Sequence, residues 1–299
     1  MAGALRSWLF VPADSPRKLQ KALEGAADAL LIDLEDSVAP AAKAAARAAA
    51  HDFIGAARAA GTTKQLYVRV NAFGSGSIEA DLDAVMAAVP DGILLPKCQG
   101  GRDVQRLGAG LAVREAQYGL SDGSTRIMAL ATETAAALFQ LGSYAGSSPR
   151  LAALTWGAED LSADVGSLVT RLPDGAYTPP YALARSLTLF GAAAAEVDAV
   201  DTVFPAYRDA AGFRADCEAA ARDGFVGKMA IHPYQVAVIN TVFSPSPEAV
   251  ARARAIVAAF AAAPEAGVIG AGGQMLDRPH LMRAERLLAR AGAGGAPVL

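Results

Sequence analysis

The feature that most constrains this fold is a regular alternation of short apolar runs with longer alanine-rich segments. The short runs have the composition of β-strands, and they are nearly continuously apolar, as strands buried on both faces of a sheet are. The segments between them, such as residues 40–60, 78–89, 134–141 and 181–197, have the apolar spacing of helices. Strands that alternate with helices form parallel sheets. The eight predicted strands are residues 8–12, 29–33, 66–70, 92–96, 126–130, 151–155, 199–203 and 227–231.

Eight strand and helix units in about 230 residues match a closed (β/α)8 barrel, the TIM barrel, in number and in length. We therefore predict an α/β fold of this class, with a catalytic barrel domain over residues 1–235. A doubly wound open sheet is the alternative, but it usually carries a glycine-rich phosphate loop after its first strand. Here the first strand ends in Val11-Pro12-Ala13-Asp14, and neither GxGxxG nor GxxxxGK[ST] occurs.

Residues 236–299 predict an ordered C-terminal helical arm that the barrel does not need. Ser246 and Pro247 are typical of the N-cap and first position of a helix, which we expect to end near residue 263. Residues 268–276 indicate a tight hairpin and residues 278–291 a last helix, after which we expect a frayed end. Because it lies outside the barrel, this extension is expected to pack on a neighbouring subunit or complete its site.

Composition excludes several classes of protein. The 27 basic and 30 acidic side chains give a formal net charge of −3, so we expect no nucleic-acid or membrane partner. No apolar run approaches the roughly 18 residues of a membrane span, and residues 1–12 lack a signal-peptide pattern, so a cytoplasmic location is expected. Two cysteines, Cys98 and Cys217, and three scattered histidines indicate buried thiols and no zinc site.

Polar residues follow several of the predicted strands, at the end of a parallel barrel where active sites form. Glu133 follows the fifth strand and Asp160 the sixth, and neighbouring strands lie about 4.8 Å apart. Two carboxylates so placed could hold one Mg²⁺, although each could instead stabilise a helix N-terminus or a turn. The other polar residues near these ends include Glu35, Asp36, Asn71, Lys97, Glu159 and His232.

Arg69 lies within an otherwise apolar strand, so its side chain must enter the barrel mouth or pair with a buried carboxylate. In the mouth it could bind a substrate carboxylate or stabilise an oxyanion. The alternative is a purely structural pair with Glu35 or Asp36.

Three basic residues, Arg17, Lys18 and Lys21, open the first predicted helix. Cations are unfavourable in a first helical turn unless an anion offsets them, so a phosphate-bearing ligand is one interpretation. A solvated charged face is the other. Near the opposite end of the chain, Asp277 could cap the last helix, or the flexible segment Gly270-Ala-Gly-Gly273 could let it reach over a barrel rim.

Short motifs occur in order along most of the chain. They are Leu9-Phe-Val-Pro12, Asp33-Leu-Glu-Asp-Ser-Val38, Tyr67-Val-Arg-Val-Asn71, Leu95-Pro-Lys97, Glu133-Thr134, Gly157-Ala-Glu-Asp-Leu161, Gly227-Lys-Met-Ala-Ile-His-Pro233 and Gly273-Gln-Met-Leu-Asp277. From about residue 5 to 290, the chain resembles the HpcH/HpaI aldolase superfamily, in its citrate lyase β-subunit-like branch with malyl-CoA and citramalyl-CoA lyases. One departure is Ala13, where that family usually has glycine, and it concerns the loop on the CoA side.

The resemblance implies reversible, Mg²⁺-dependent Claisen cleavage of a 3-hydroxyacyl-CoA thioester, such as malyl-, citramalyl- or citryl-CoA, into a 2-oxo acid and an acyl-CoA. It implies that Glu133 and Asp160 hold Mg²⁺ and that Arg69 stabilises oxyanion charge. It further implies that Asp277 is the acid/base of a neighbouring subunit's site, in a homo-oligomer that would be a trimer or hexamer. The residues implied in substrate or CoA binding are Phe10, Val11, Lys21, Arg69, Glu133, Glu159, Ile231 and His232, with Glu35, Asp36, Asn71 and Lys97 behind them.

Other functions remain open at this point. A citrate lyase β subunit would take its thioester from an acyl-carrier protein within a larger complex. A 2-oxo acid aldolase would use a pyruvate enolate without CoA. A non-catalytic barrel subunit is disfavoured, because Arg69, Glu133, Asp160 and Asp277 are all present.

Overall fold

The computed structural model describes residues 5–271 and 274–292. Eight parallel strands close into a barrel in sequential order, and helices lie between successive strands, so the predicted TIM barrel is confirmed. The strands are β1 (Ser7–Pro12), β2 (Ala29–Asp33), β3 (Gln65–Arg69), β4 (Gly92–Leu95), β5 (Arg126–Leu130), β6 (Leu151–Thr155), β7 (Asp198–Asp201) and β8 (Gly227–Ala230).

The barrel helices follow the predicted pattern, with one shorter than expected. Residues 134–141 contain only a single α-helical turn, Ala135–Leu138, and the chain continues as a separate 3₁₀ turn at Leu141–Tyr144. Among the described residues, none of the helices is long and apolar enough to cross a membrane. The helices are α1 (Pro16–Glu24), α2 (Lys43–Ala59), α3 (Ile78–Val85), α4 (Gly101–Gln117), α5 (Ala135–Leu138), α6 (Ala158–Val165), α7 (Pro179–Ala194), α8 (Ala210–Asp223) and α9 (Pro233–Val242).

Strand side chains alternate between the barrel interior and the surrounding helices. A small inner cluster fills the barrel, and a much larger cluster, rich in alanine, lies between the strands and the helices. Leu31 and Tyr67 belong to the inner cluster, and Asp33 and Arg69 follow them two residues later on the same strand faces. The alternation therefore points both charged side chains into the barrel mouth. The inner cluster comprises Trp8, Ala29, Leu31, Tyr67, Leu94, Met128, Leu130, Ala153, Val200 and Met229.

The C-terminal segment forms a helix, a hairpin and a second helix. Ser246 caps the first helix as predicted, since its hydroxyl accepts a hydrogen bond from the N–H of Ala249 at 3.1 Å. The hairpin predicted over residues 268–276 is present as an antiparallel pair of strands, and its residues 272–273, like those after residue 292, lie outside the described residues. The division into residues 1–235 and 236–299 stays a prediction, and residue 235 itself falls within α9. The elements are α10 (Pro247–Ala261), β9 (Val268–Ala271), β10 (Gln274–Asp277) and α11 (Arg278–Arg290).

Candidate active site

A cavity of about 320 Å³ opens at the carboxyl ends of the barrel strands. Its floor is apolar, with Leu130 and Met229 of the inner cluster, and its rim is polar. This combination of an apolar floor with a few convergent charged groups is typical of a small-molecule site. The predicted site residues in its lining are Phe10, Arg69, Glu133, Glu159, Asp160 and Ile231.

A larger hollow, of about 1050 Å³, lies at the opposite end of the barrel, against α10 and α11. Asp28 is the acidic residue in its described lining, and it forms a salt bridge of 2.9 Å with Arg6. A single paired carboxylate offers no acid/base or metal chemistry, and barrel active sites form at the other end. The smaller rim cavity is therefore the candidate active site.

Arg69 is held in the mouth of the barrel by two carboxylates. Its Nε and Nη2 donate to the two oxygens of Asp33, each at 2.7 Å, and its Nη1 lies 3.1 Å from Oε2 of Glu35. The guanidinium carbon lies 4.9 Å from the ring centre of Phe10. Although burial opposes the charge, the hydrogen bond to Asp33 raises the pKa of Arg69, so the side chain stays cationic. The sequence left open whether Arg69 enters the barrel mouth or pairs with a buried carboxylate. In the structure it does both.

Glu133 is a buried carboxyl group among other acids. The residue lies just after the end of β5, and only 3% of it is exposed. Burial raises the pKa of Glu133 to about 8, and the nearby carboxylates of Asp160 and Glu35 add to the rise. The backbone N–H of Lys97, which donates to Oε2 at 2.5 Å, opposes it. Glu133 is therefore a carboxylate that a cation would stabilise strongly in the ionised form.

Asp160 lies in the first turn of α6, beside the cavity, and its side chain is 36% exposed. Its Oδ1 is 3.3 Å from Nζ of Lys97, which also contacts Glu35 at 2.7 Å and Asp36 at 3.5 Å. Gly157, just before α6, leaves room for the neighbouring strand end, because a Cβ there would meet Cγ of Glu133 at 2.9 Å. The local sequence thus permits the close approach of the two acidic strand ends.

The charges of this region suit a divalent cation. Five carboxyl groups, those of Asp33, Glu35, Asp36, Glu133 and Asp160, surround the two cations Arg69 and Lys97. Within the described ranges, no cluster of three or more His, Cys, Asp or Glu side chains forms a complete metal cage. Mg²⁺ needs no such cage, because it usually takes one or two carboxylates and fills its other positions with water and substrate oxygens. An all-oxygen pair with excess negative charge fits Mg²⁺.

Several predicted residues lie outside the cavity lining. Val11 is 3% exposed and points into the outer core, so its backbone alone could meet a ligand. His232 caps α9, and its ring stacks on Tyr207 at 4.9 Å between ring centres and contacts the tilted ring of Tyr234 at 4.7 Å. The prediction that three basic residues open α1 is wrong for Lys21, which lies in the last turn, where a cation is favourable.

Asn71 is engaged below the rim rather than in the cavity. Its side-chain nitrogen donates to Asp81 at 2.7 Å and to the carbonyl oxygen of Leu34 at 3.0 Å, and its Oδ1 accepts from Lys43 at 2.7 Å. These bonds use its side-chain nitrogen and oxygen to join β3 to α2 and α3. Asn71 therefore supports the strand end, and direct substrate contact is left to its neighbours.

Asp277 lies at the start of α11, and no residue of the rim cavity is among its bonding partners in the described part of the chain. Nδ1 of His280 lies 2.5 Å from Oδ1 of Asp277, a pair in which the ring N–H donates to the carboxylate, and 3.3 Å from the backbone nitrogen of Asp277. The hydrogen bond with His280 lowers the pKa of Asp277, so the side chain is a carboxylate. Asp277 therefore lies at the N-cap of α11, as one of the two interpretations of the sequence predicted. Its contacts do not support a role in the cavity of its own subunit.

Sequence reasoning gave no role to two residues that shape the site. Asp33 orients Arg69, and the signal was the adjacency of their strand ends, since they pair in register on β2 and β3. Trp156 forms part of the cavity wall, and its indole N–H donates to Asp201 at 2.7 Å. The second oxygen of Asp201 accepts from the fully buried Lys228 at 2.6 Å. This interior network had no local sequence signal.

Comparison with known proteins gives a consistent result over nearly the whole chain. A family model described as HpcH/HpaI aldolase/citrate lyase matches residues 6–233. The citrate lyase subunit beta of Leuconostoc mesenteroides subsp. cremoris is 32% identical over 290 residues, covering 96% of this chain and 93% of the relative. The (3S)-malyl-CoA thioesterase of Cereibacter sphaeroides strain KD131 is 33% identical over 297 residues, covering 98% and 96%.

A solved structure agrees in fold and in sequence. The CitE protein of Mycobacterium tuberculosis, crystallised with magnesium, acetoacetate and coenzyme A, superimposes with a TM-score of 0.77. It is 34% identical, and the match covers 98% of this chain and all of that one. The similarity therefore extends beyond the barrel into the C-terminal segment.

Proposed function

Because the chain belongs to the HpcH/HpaI aldolase/citrate lyase family and is therefore a lyase, we propose that its substrate is a 3-hydroxyacyl-CoA thioester. The proposed reaction is reversible cleavage, with Mg²⁺, into a 2-oxo acid and an acyl-CoA. Malyl-, citramalyl- and citryl-CoA are the candidate substrates. The observation that carries the proposal is the placement of Glu133 and Asp160 with Arg69 around one rim cavity.

Glu133 and Asp160 are the proposed holders of Mg²⁺. The raised pKa of Glu133 and the excess of carboxylates around it support a cation there, and magnesium is bound in the related CitE structure. When bound, the metal would supply a Lewis acid for the hydroxyl and carboxylate oxygens of the substrate.

Arg69 is the proposed oxyanion-binding residue. In the cleavage direction, the substrate hydroxyl passes its proton to solvent and its carbon becomes the carbonyl carbon of the 2-oxo acid. The bond from that carbon to the α-carbon of the thioester breaks, and the electron pair stays with the acyl fragment as an enolate whose oxygen carries the negative charge. A permanently charged guanidinium, fixed in orientation by Asp33, needs no reorganisation to stabilise that oxygen. The apolar floor beneath it would keep water from the enolate.

Asp277 is the proposed acid/base, supplied by a neighbouring subunit of a homo-oligomer. It would protonate the enolate carbon on cleavage, or remove that proton on condensation. Support comes from its half-exposed side chain on a hairpin arm and from its lack of contact with its own cavity, within the described ranges. Its lowered pKa favours the base form that condensation starts from.

The CoA part of the substrate is proposed to lie along the ends of β1 and β8. Phe10 and Ile231 line the cavity there, and Ile231 is 41% exposed, so an apolar surface leads from the cavity to the rim. His232, Lys21 and the backbone of Val11 would contact the rest of the molecule, and Glu159 its acyl end. A cytoplasmic location is part of the same proposal and rests on the sequence.

The test is a panel of malyl-, citramalyl- and citryl-CoA with Mg²⁺, followed by analysis of both products. We expect one 2-oxo acid and one acyl-CoA, and abolished turnover together with lost Mg²⁺ dependence in Glu133→Ala and in Asp160→Ala. Glu218→Ala, which changes an exposed acid on α8, is the control and should behave like the wild type. Near-normal cleavage by either cavity variant would rule out the metal assignment.

A citrate lyase β subunit is the second candidate, favoured by the relative from Leuconostoc mesenteroides. Such a subunit uses a thioester carried by a protein, so the purified chain would not turn over free CoA thioesters. A pyruvate-dependent aldolase would show no binding of acetyl-CoA in a calorimetric titration. The panel and this titration together separate the three activities.

A further inference from the structure

Lys97 has a backbone conformation that residues with side chains seldom adopt. Its φ angle is +49°, in the left-handed region, where the Cβ atom crowds the following carbonyl group. Val89 and Glu196 also have positive φ, but both lie at helix or 3₁₀ ends, where this conformation is common. Lys97 instead follows strand β4. Its conformation therefore has a cause other than helix termination.

The conformation lets one residue contact both proposed metal ligands. The N–H of Lys97 donates to Oε2 of Glu133, and its Nζ lies 3.3 Å from Oδ1 of Asp160. The same ammonium donates to Oε1 of Glu35 at 2.7 Å. Lys97 thus joins acidic groups from the ends of β2, β5 and β6 around a single positive charge.

The Lys97 ammonium is the cation available to Asp160 and Glu133, because the other cation of the rim, Arg69, is already paired. Arg69 is engaged by Asp33 on two nitrogens and by Glu35 on the third. Asp160 forms one ion pair among the described residues, and its partner is Lys97. A divalent cation held by Glu133 and Asp160 would share Asp160 with this ammonium, and two positive charges so close repel each other.

We propose that the Lys97 ammonium is the counter-cation of this carboxylate cluster and that it weakens Mg²⁺ binding until an anionic substrate enters the cavity. The proposal rests on the proposed metal site. The carboxylate of a 2-oxo acid would add the negative charge that offsets the repulsion. Metal and 2-oxo acid would therefore each strengthen the binding of the other.

The test measures Mn²⁺ binding by the loss of the free-ion electron paramagnetic resonance signal, without any organic acid. The variants are Lys97→Gly and Lys97→Asn, because both residues accept positive φ and would keep the N–H bond to Glu133. We expect each to bind Mn²⁺ about tenfold more tightly than the wild type, which corresponds to about 1.4 kcal/mol. Added pyruvate should tighten Mn²⁺ binding more in the wild type than in either variant.

Two controls separate this effect from others. Lys97→Arg keeps the charge and should bind Mn²⁺ like the wild type. Lys64→Asn removes a lysine at the opposite end of the barrel, where Nζ bonds to two carbonyl oxygens, and should leave Mn²⁺ affinity unchanged.

Unchanged or weaker Mn²⁺ binding in both Lys97→Gly and Lys97→Asn would overturn the proposal, since a lysine that merely supports Asp160 predicts no gain in affinity. Failure of the metal site itself looks different. In that case the wild type would bind Mn²⁺ no better than Glu133→Ala, with or without pyruvate. The two failures are therefore distinguishable in one set of titrations.

Discussion

At the scale of single residues, the orientation of Arg69 depends on Asp33. Asp33 accepts two hydrogen bonds of 2.7 Å from the guanidinium and further bonds from the backbone N–H groups of Glu35 and Ser37. Although burial opposes ionisation, the bond from Arg69 lowers the pKa of Asp33. Asp33 therefore fixes both the position and the charge of the residue proposed to stabilise the oxyanion.

Asp33→Asn is expected to lower the cleavage rate by roughly 10- to 100-fold. The Arg69 guanidinium would keep its ion pair with Glu35 but lose the two-bond contact with a carboxylate that preorganises it. Steady-state kinetics with the best thioester of the panel measures this, and Mn²⁺ affinity should stay close to that of the wild type. Asp28→Asn is the matched control, because Asp28 forms the same two-bond pair with Arg6 at the other end of the barrel. Equal rate losses in both variants would mean that Asp33 acts only through stability.

At the scale of elements, a buried ion pair joins helix α4 to the beginnings of β5 and β6. Glu115, near the end of α4, accepts from the N–H groups of Gly123 and Thr125 at 2.9 and 2.8 Å and from Arg150 at 2.7 Å. Glu115 is 1% exposed and Arg150 is 6% exposed. Although burial opposes ionisation, these hydrogen bonds lower the pKa of Glu115 to about 2. The pair thus fixes how two neighbouring strands enter the barrel.

Glu115→Gln is expected to destabilise the fold by about 3 kcal/mol at pH 7, because it leaves the buried Arg150 guanidinium without its main counterion. Urea denaturation measures the change. The wild-type pair contributes fully above the ordinary pKa of a glutamate, and its contribution is lost as the pH falls toward about 2. The wild type should therefore lose more stability than the variant between pH 7 and pH 3.

The control for this pair is Glu79→Gln. Glu79 also bonds to an arginine, Arg114, at 2.9 Å, but 64% of its side chain is exposed. Solvent screens such a pair, so we expect a change below about 0.5 kcal/mol. If the wild type and Glu115→Gln lost the same stability as the pH falls from 7 to 3, the ionised Glu115–Arg150 pair would not be the source of the wild type's acid sensitivity.

At the scale of the whole molecule, the proposed site needs two chains. Glu133→Ala and Asp277→Asn should each be inactive as pure oligomers, with Asp277→Asn keeping the oligomeric state and ligand affinity. After subunits of the two variants are mixed and exchanged at equal amounts, about a quarter of the sites would combine an intact Glu133 with a neighbour's intact Asp277. Activity near that fraction of the wild type is the expected result, measured by the same cleavage assay.

Mixed oligomers without activity would contradict a shared site. If Asp277→Asn instead lowers only the melting temperature, the helix-terminal bond to His280 is its whole function. The arm has exposed apolar side chains near Asp277, with Met275 78% and Val268 50% exposed. These surfaces are consistent with an arm that packs on another chain.

The sequence by itself determined the class of fold and the end of the barrel that bears the site. Apolar runs buried on both faces, separated by helical segments, are local signals, so the strand count and order follow from them. Because the carboxyl ends of parallel strands share one rim, the placement of Arg69, Glu133 and Asp160 around a common cavity was also predictable. The one-turn length of α5 was not, since Leu138 is followed by Phe139, Gln140 and Leu141, which do not mark a helix end.

Only the tertiary structure decided which charged groups pair at that rim. Lys97 meets Glu35 and Asp160, residues 62 positions before and 63 positions after it in the chain, and no local pattern specifies such contacts. For Arg69 the sequence indicated Glu35 or Asp36 as a partner, whereas the register of β2 and β3 sets Asp33 directly beside it and Glu35 pairs with the remaining nitrogen. Periodicity is a property of neighbours along the chain, whereas ion pairing depends on barrel closure and strand register, which bring distant residues within a few ångströms.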